Sequence, residues 1–360
     1  LPEGGGMGIT EAQLYAQKNG YVNGQNGYTV AITTPYNGDA FKIEVKISGP
    51  TKAMFATAFG IDFFSNSHRA VATYYGEAMV NAALLALNPT ACNAYDQGGS
   101  SIVVVGGGGI MANSSCNPSL YQNGAGSTTG DIIQYYAPAG YVGNFSPAPR
   151  AVASRMPDPL AGMVPPDLVA LGQSPDSGGG PHNPKTKLIN GAVTLNPGVY
   201  YGGIKITAAA VTLLPGTYVM AGGGFDLGSN AIVSGDGIMI YNTYDPTHPG
   251  QAGACASISF SGGASTIFTA QTSGPYKDVV FWQDPSPQCA GVDFKLAGGG
   301  DMASGVYYLP GAKFVASGGI TLGSAQIIAD TFTFSGNAPF SVQTGNYVDL
   351  PLQSKPKLIE

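Results

Sequence analysis

The sequence predicts a mainly β protein: a right-handed parallel β-helix, or solenoid, preceded by a small α+β N-terminal domain. Three observations carry this reading. Only 10% of the 360 residues are charged, while Gly numbers 54, Pro 26 and hydrophobic residues reach 44%. That mixture suits short buried strands joined by tight turns, and its apolar content is too high for a disordered chain. Second, Pro197-Gly-Val-Tyr200 returns as Pro215-Gly-Thr-Tyr218, 18 residues later, and "GVYYLPGAKFVASGGITL" from Gly305 echoes both Gly-Val-Tyr-Tyr and Leu-Pro-Gly. Self-similarity at about 18–22 residues is a repeat signature. Third, no helical periodicity separates the strands, which disfavours leucine-rich repeats. A β-sandwich needs no such fixed register.

Residues 1–88 read as the α+β domain. "ITEAQLYAQKNG" predicts a helix capped by Thr10 with Gln13 three residues on, closed at Gly20. "YTVAITTP" is a strand stopped by Pro35. In "AFKIEVKIS" Phe41, Ile43, Val45 and Ile47 alternate with polar residues, the pattern of a half-buried strand. "TKAMFATAFG" predicts a short helix between Thr51 and Gly60, and "SNSHRAVATYY" and "AALLALNP" predict two further strands. His68 alternates as an ordinary polar strand residue.

The β-helix is expected over 89–345. It is interrupted at 147–187, where nine prolines from Pro147 to Pro184 forbid a central strand and predict a wrapping loop or linker. Within each turn of the solenoid, Pro presets φ at the Pro-Gly corner and Gly accepts positive φ. Successive turns stack about 4.8 Å apart, which would place Tyr200 over Tyr218. Residues 346–360 form an extended C-terminal tail. Its Tyr347, Val348, Leu350 and Leu352 are too apolar for a free polar tail, and predict a contact with a neighbouring subunit.

The four cysteines form two local pairs, Cys92 with Cys116 and Cys255 with Cys289, separated by one to two solenoid turns. Stacked neighbours come within disulfide reach, and an even count agrees with an oxidising, extracellular compartment. The chain begins at Leu1 rather than Met, which points to a removed leader or anchor. No apolar run approaches the length of a membrane span. With a net charge of −6 and no basic cluster, nucleic-acid binding is excluded.

No catalytic, cofactor or metal site is expected. The solenoid acids Asp226, Asp236, Asp245, Asp278, Asp284, Asp293, Asp301 and Asp330 stand alone at turns and strand ends. Glycoside hydrolysis requires two carboxylates facing one bond, and the arginines stop at Arg155. "AGGGFDLGSN" and "AGGGDMASG" miss the calcium-binding glycine-aspartate repeat, and no cysteine–histidine spacing suits zinc.

In chain order, "ALLALNPTAC", "VVVGGGGIMANSS", "DPLAGMVPP", "VTLNPGVYYGGIKI" and "TLLPGTYVMAGGGFDL" resemble TadG-like proteins of Tad (Flp-type) pilus assembly. The resemblance covers nearly the whole chain. Relatives carry an N-terminal membrane helix and often a cysteine at the position of Tyr201. The resemblance implies a non-enzymatic surface protein that contributes to attachment. The expectation is an extracellular structural subunit of a pilus, filament or cell-surface assembly, partnered by its own copies or other surface subunits. An adhesin binding surface glycans through exposed solenoid tyrosines is the alternative, and a polysaccharide lyase or hydrolase comes after it.

Overall fold

The computed structural model describes residues 5–37, 42–52, 56–60, 63–73, 82–152, 154–248, 253–301, 303–345, 347 and 357–358. The protein is mainly β and divides into two units, Leu1–Glu77 with Ser354–Glu360, and Ala78–Gln353. The strand Ala82–Ala86, expected in the N-terminal domain, belongs to the large unit. Its five residues are all buried, so it pairs as an interior strand there.

The small unit holds a helix, Gly5–Lys18, and a four-stranded antiparallel sheet of Thr29–Thr33, Lys42–Lys52, Phe63–Thr73 and Lys357–Leu358. The helix starts five residues before Thr10, so Thr10 is an interior residue and not the cap. The expected helix from Thr51 is also revised. The strand extends to Lys52, and only Ala56–Phe59 forms a 3-10 turn. The strand pairing settles this, because Thr51 and Lys52 oppose Phe64 and Phe63. Among the described residues of this unit few side chains are buried, and these include Ala16, Val30 and Val71.

The large unit is one parallel sheet whose strands recur in sets of three. We call each set a tier. Each strand pairs in parallel with its equivalent in the next tier. In the first strand of successive tiers Ile189 opposes Ile206, then Leu227, Phe260, Leu296 and Ala316. In the third strand Tyr200 opposes Met220, then Asn242 and Gln283. The apolar members of these columns belong to the main core, and Asn242 donates to Gln283 Oε1 beside it at 2.7 Å.

The tiers are not stacked in chain order. Ile327 opposes Leu84, which opposes Ile110 and then Ile133. Phe334 opposes Gln97, and Phe340 opposes Val103. The tiers of residues 82–152 therefore continue the ladder beyond residue 344. One tier is shared, its first two strands from 332–344 and its third from Ala82–Ala86.

The proline-rich segment runs back along the stack. Met156 and Asn113 exchange two hydrogen bonds of 2.8 and 2.7 Å. Arg155 donates to the carbonyls of Asn113 and Pro89 and lies over the Tyr136 ring. Asp158 accepts from the Tyr308 hydroxyl at 2.8 Å, and Ser174 donates its backbone N–H to Val199. Met156, Leu160, Met163 and Leu168 thereby cover an outward apolar row that includes Leu85, Met111, Tyr308, Trp282, Tyr241 and Val199. Without this strap that row would face water.

The 18-residue register holds at Val193–Val211 and then slips, because Gly198 opposes Tyr218 rather than Gly216. The rings of Tyr200 and Tyr218 nevertheless stack, 6.0 Å apart and 21° from parallel. Gly198, Gly216 and Gly305 have φ of 130°, 140° and 134°. In each case the tyrosine two residues on turns inward and donates its hydroxyl to the carbonyl four residues back: Asn196, Leu214 and Ala303. A Cβ at Gly216 would lie 2.8 Å from the Pro197 Cβ. The repeated motif is thus a corner that needs glycine for its backbone and tyrosine to satisfy the exposed carbonyl.

Candidate functional site

Both expected disulfides are formed, Cys92–Cys116 and Cys255–Cys289, with Cα separations of 4.9 and 5.1 Å. Each joins neighbouring tiers just before a paired first strand: Tyr95 opposes Leu120, and Ile258 opposes Phe294. Among the described residues no helix is long and apolar enough to cross a membrane.

Two parts of the tail contact their own chain. The Tyr347 hydroxyl donates to Ser324 O at 2.8 Å, and its ring packs on the strap-covered apolar cluster. Lys357–Leu358 pairs with Phe63–Thr73 of the same chain. Val348, Leu350 and Leu352 lie outside the described residues. Seven of the sheet tyrosines are enclosed, whereas Tyr141 is exposed. Tyr95, Tyr200, Tyr218 and Tyr307 point inward, and Tyr201, Tyr241 and Tyr308 belong to the row covered by the strap.

The most chemically distinctive place is a corner after the third strand. The sequences "YDPTH" at 244–248 and "QDPSP" at 283–287 repeat Asp-Pro-hydroxyl in adjacent tiers. Proline disfavours a helical conformation at the preceding residue. The carboxylate is then free to accept from the backbone N–H two residues on, an Asx turn. Asp245 Oδ1 accepts from Thr247 N and Oγ1 at 2.8 and 2.7 Å. Asp284 Oδ1 accepts from Ser286 N at 2.8 Å, and its Oδ2 accepts from Thr243 Oγ1 at 2.5 Å.

Asp245 is 0% exposed and Asp284 8%. Their charges are felt by the covered tyrosines. Burial pushes the Tyr201 phenol up, and Asp245 adds to the rise. Burial raises Tyr241 far more strongly, with Asp284 contributing. The Asp245 Oδ2 and Ser286 Oγ atoms are buried and have no hydrogen-bond partner. The Cys255–Cys289 bridge borders the corner, and Gln283 Nε2 contacts Cys255 Sγ at 3.3 Å.

A shallow apolar cleft of about 400 Å³ lies elsewhere, between strap residues 159–164 and Pro275–Tyr276. Among the described residues no three His, Cys, Asp or Glu side chains converge as a metal cluster. In the sequence Asp245 and Asp284 stand apart as isolated turn acids. The signal that could have joined them is the repeated Asp-Pro-Thr/Ser, which marks one corner seen twice. No family model, curated protein or solved structure matches this chain.

Proposed function

We propose that this chain is a non-enzymatic, extracellular structural protein, a subunit of a pilus, filament or cell-surface assembly. In this reading the parallel sheet winds as a right-handed β-helix, and the TadG-like resemblance of its motifs supports a role in surface attachment. The disulfides linking adjacent tiers are compatible with a secreted protein.

One observation carries the assembly. Among the described residues, Lys187–Ile189 and Val193–Leu195 have registered partners on one side only. The same is true of Tyr141–Val142 and Phe145–Ser146 at the opposite end of the ladder. Unpaired edges are templates for strand addition. Here both edges belong to the same parallel series and differ from each other, so copies would join head to tail, the geometry that yields open filaments. Each edge also shows apolar side chains, Leu188 at 67% and Val142 at 49% exposure.

The test is concentration-dependent sedimentation with negative-stain imaging of the full chain. The expected result is elongating species, lost on Leu188→Asp or Val142→Asp with an unchanged circular dichroism spectrum. A wild-type protein that stays monomeric at high concentration, or edge variants that still elongate, overturns the proposal.

A further inference from the structure

We propose that the corner between Asp245 and Ser286 binds a hard divalent cation of the calcium class. Asn242 opposes Gln283 as the last registered pair of the third-strand ladder, and one residue on Thr243 Oγ1 donates to Asp284 Oδ2. Asp245 and Ser286 each follow that pair by three residues. Thr247 saturates one oxygen of the Asp245 carboxylate. The other oxygen, and the hydroxyl of Ser286 one tier away, are both buried without partners.

A second carboxylate, that of Asp284, lies in the same corner and is almost as fully desolvated. Among the described residues the ion pairs join Glu44, Asp226, Asp278 and Asp293 to basic side chains, and none involves Asp245 or Asp284. A desolvated carboxylate that keeps one oxygen unpaired, as Asp245 does, is costly, and it is relieved by protonation or by a bound cation. Asp245 Oδ2 and Ser286 Oγ make no hydrogen bond to each other, so a proton alone does not satisfy both. A cation is instead coordinated by both oxygens and by water. The donors are oxygen alone, which selects calcium or magnesium over zinc or copper. Few charges and irregular geometry favour calcium at the weak, extracellular end of its range.

Terbium, a luminescent calcium substitute, provides the test, because the only tryptophan, Trp282, lies two residues before Asp284. Exciting Trp282 in the full chain with terbium should give sensitised emission that millimolar calcium displaces. Calcium should also raise the melting midpoint by several degrees. Asp245→Asn keeps the shape and the Thr247 bonds, and should abolish both effects. Ser286→Ala should weaken terbium binding several-fold. Asp226→Asn, at a surface ion pair, should leave both effects unchanged. Absence of calcium-displaceable emission in the wild type, or its persistence in Asp245→Asn, overturns the site. If Asp245→Asn fails to fold, Ser286→Ala decides: unchanged terbium affinity in that variant also overturns it.

Discussion

The tiers on either side of the strap share one ladder but are filled with different chemistry. In the column running through Phe260, Leu296 and Ala316 the interior is apolar. The column through Phe334 switches to Gln97 and then Gln122. In the tiers of residues 187–344 aromatic rings fill the space: Phe294 lies 5.1 Å from Phe281, 5.5 Å from Tyr307 and 5.7 Å from Phe314. In those of 82–152 the Gln97 amide donates to the carbonyls of Ser101 and Ser127, and Thr128 donates to its oxygen. The Gln122 amide similarly reaches Gly126 O at 3.0 Å. Both solutions answer one need. A tight corner turns carbonyls inward, and a donor must come from within the tier. Tyrosine reaches back four residues on one side of the strap, and glutamine reaches ahead four on the other.

The comparison can be broken most severely at Phe294. Phe294→Ala removes a ring packed on all sides and should cost about 3–5 kcal/mol, read as a lowered midpoint in chemical denaturation. On the polar side Thr128→Val keeps the volume but strands the Gln97 oxygen and the Tyr95 hydroxyl, now 2.7 Å from Thr128 Oγ1. The expected loss is smaller, about 1–3 kcal/mol. A Thr128→Val protein as stable as wild type would mean that this interior does not depend on its polar network.

The smallest effect is absent at neutral pH and sharpens the contrast at alkaline pH. Burial, which outweighs its other influences, pushes Tyr200 up to about 12. Tyr218, and Tyr95 across the strap, are also raised by burial. The folded state holds these protons more tightly than the unfolded chain, whose phenols titrate near 10. Their contribution is therefore intact below about pH 10 and is lost as pH climbs towards 12 and beyond. Denaturation midpoints should be level from neutral pH to about 9 and fall steeply above 10. Phenolate absorbance should lag behind that of free tyrosine until unfolding. Tyrosines that titrate freely in the folded protein would refute the buried corner role.

Much of this was legible locally. The strands around Ile43 and His68, the Pro-Gly corners and both cysteine pairings follow from alternation, turn chemistry and spacing. The tyrosine stack was also legible, although two residues of slip separate Gly198 from Gly216 in the ladder. The order of the tiers was not. A repeat encodes which residues face inward but not which copy lies above which, so the pairing of Ile327 with Leu84 leaves no local trace. The underside of the strap was hidden for a related reason. Met156, Leu160, Met163 and Leu168 are spaced irregularly among prolines, with neither helical nor strand periodicity to expose their common face. The Asp245 corner required seeing two distant turns as one place.

The shared tier has a consequence for how the molecule is made. Asn88 and Asp330 meet there through backbone and side chain, 242 residues apart in sequence. During synthesis the segment from Ala82 to Val152 leaves the ribosome long before the strands on which it rests. Its lower face therefore waits, open to water and to other chains, until the last quarter of the protein arrives. Pairing this distant is intrinsically slow, and the interval is when the nascent chain is most in need of a protector.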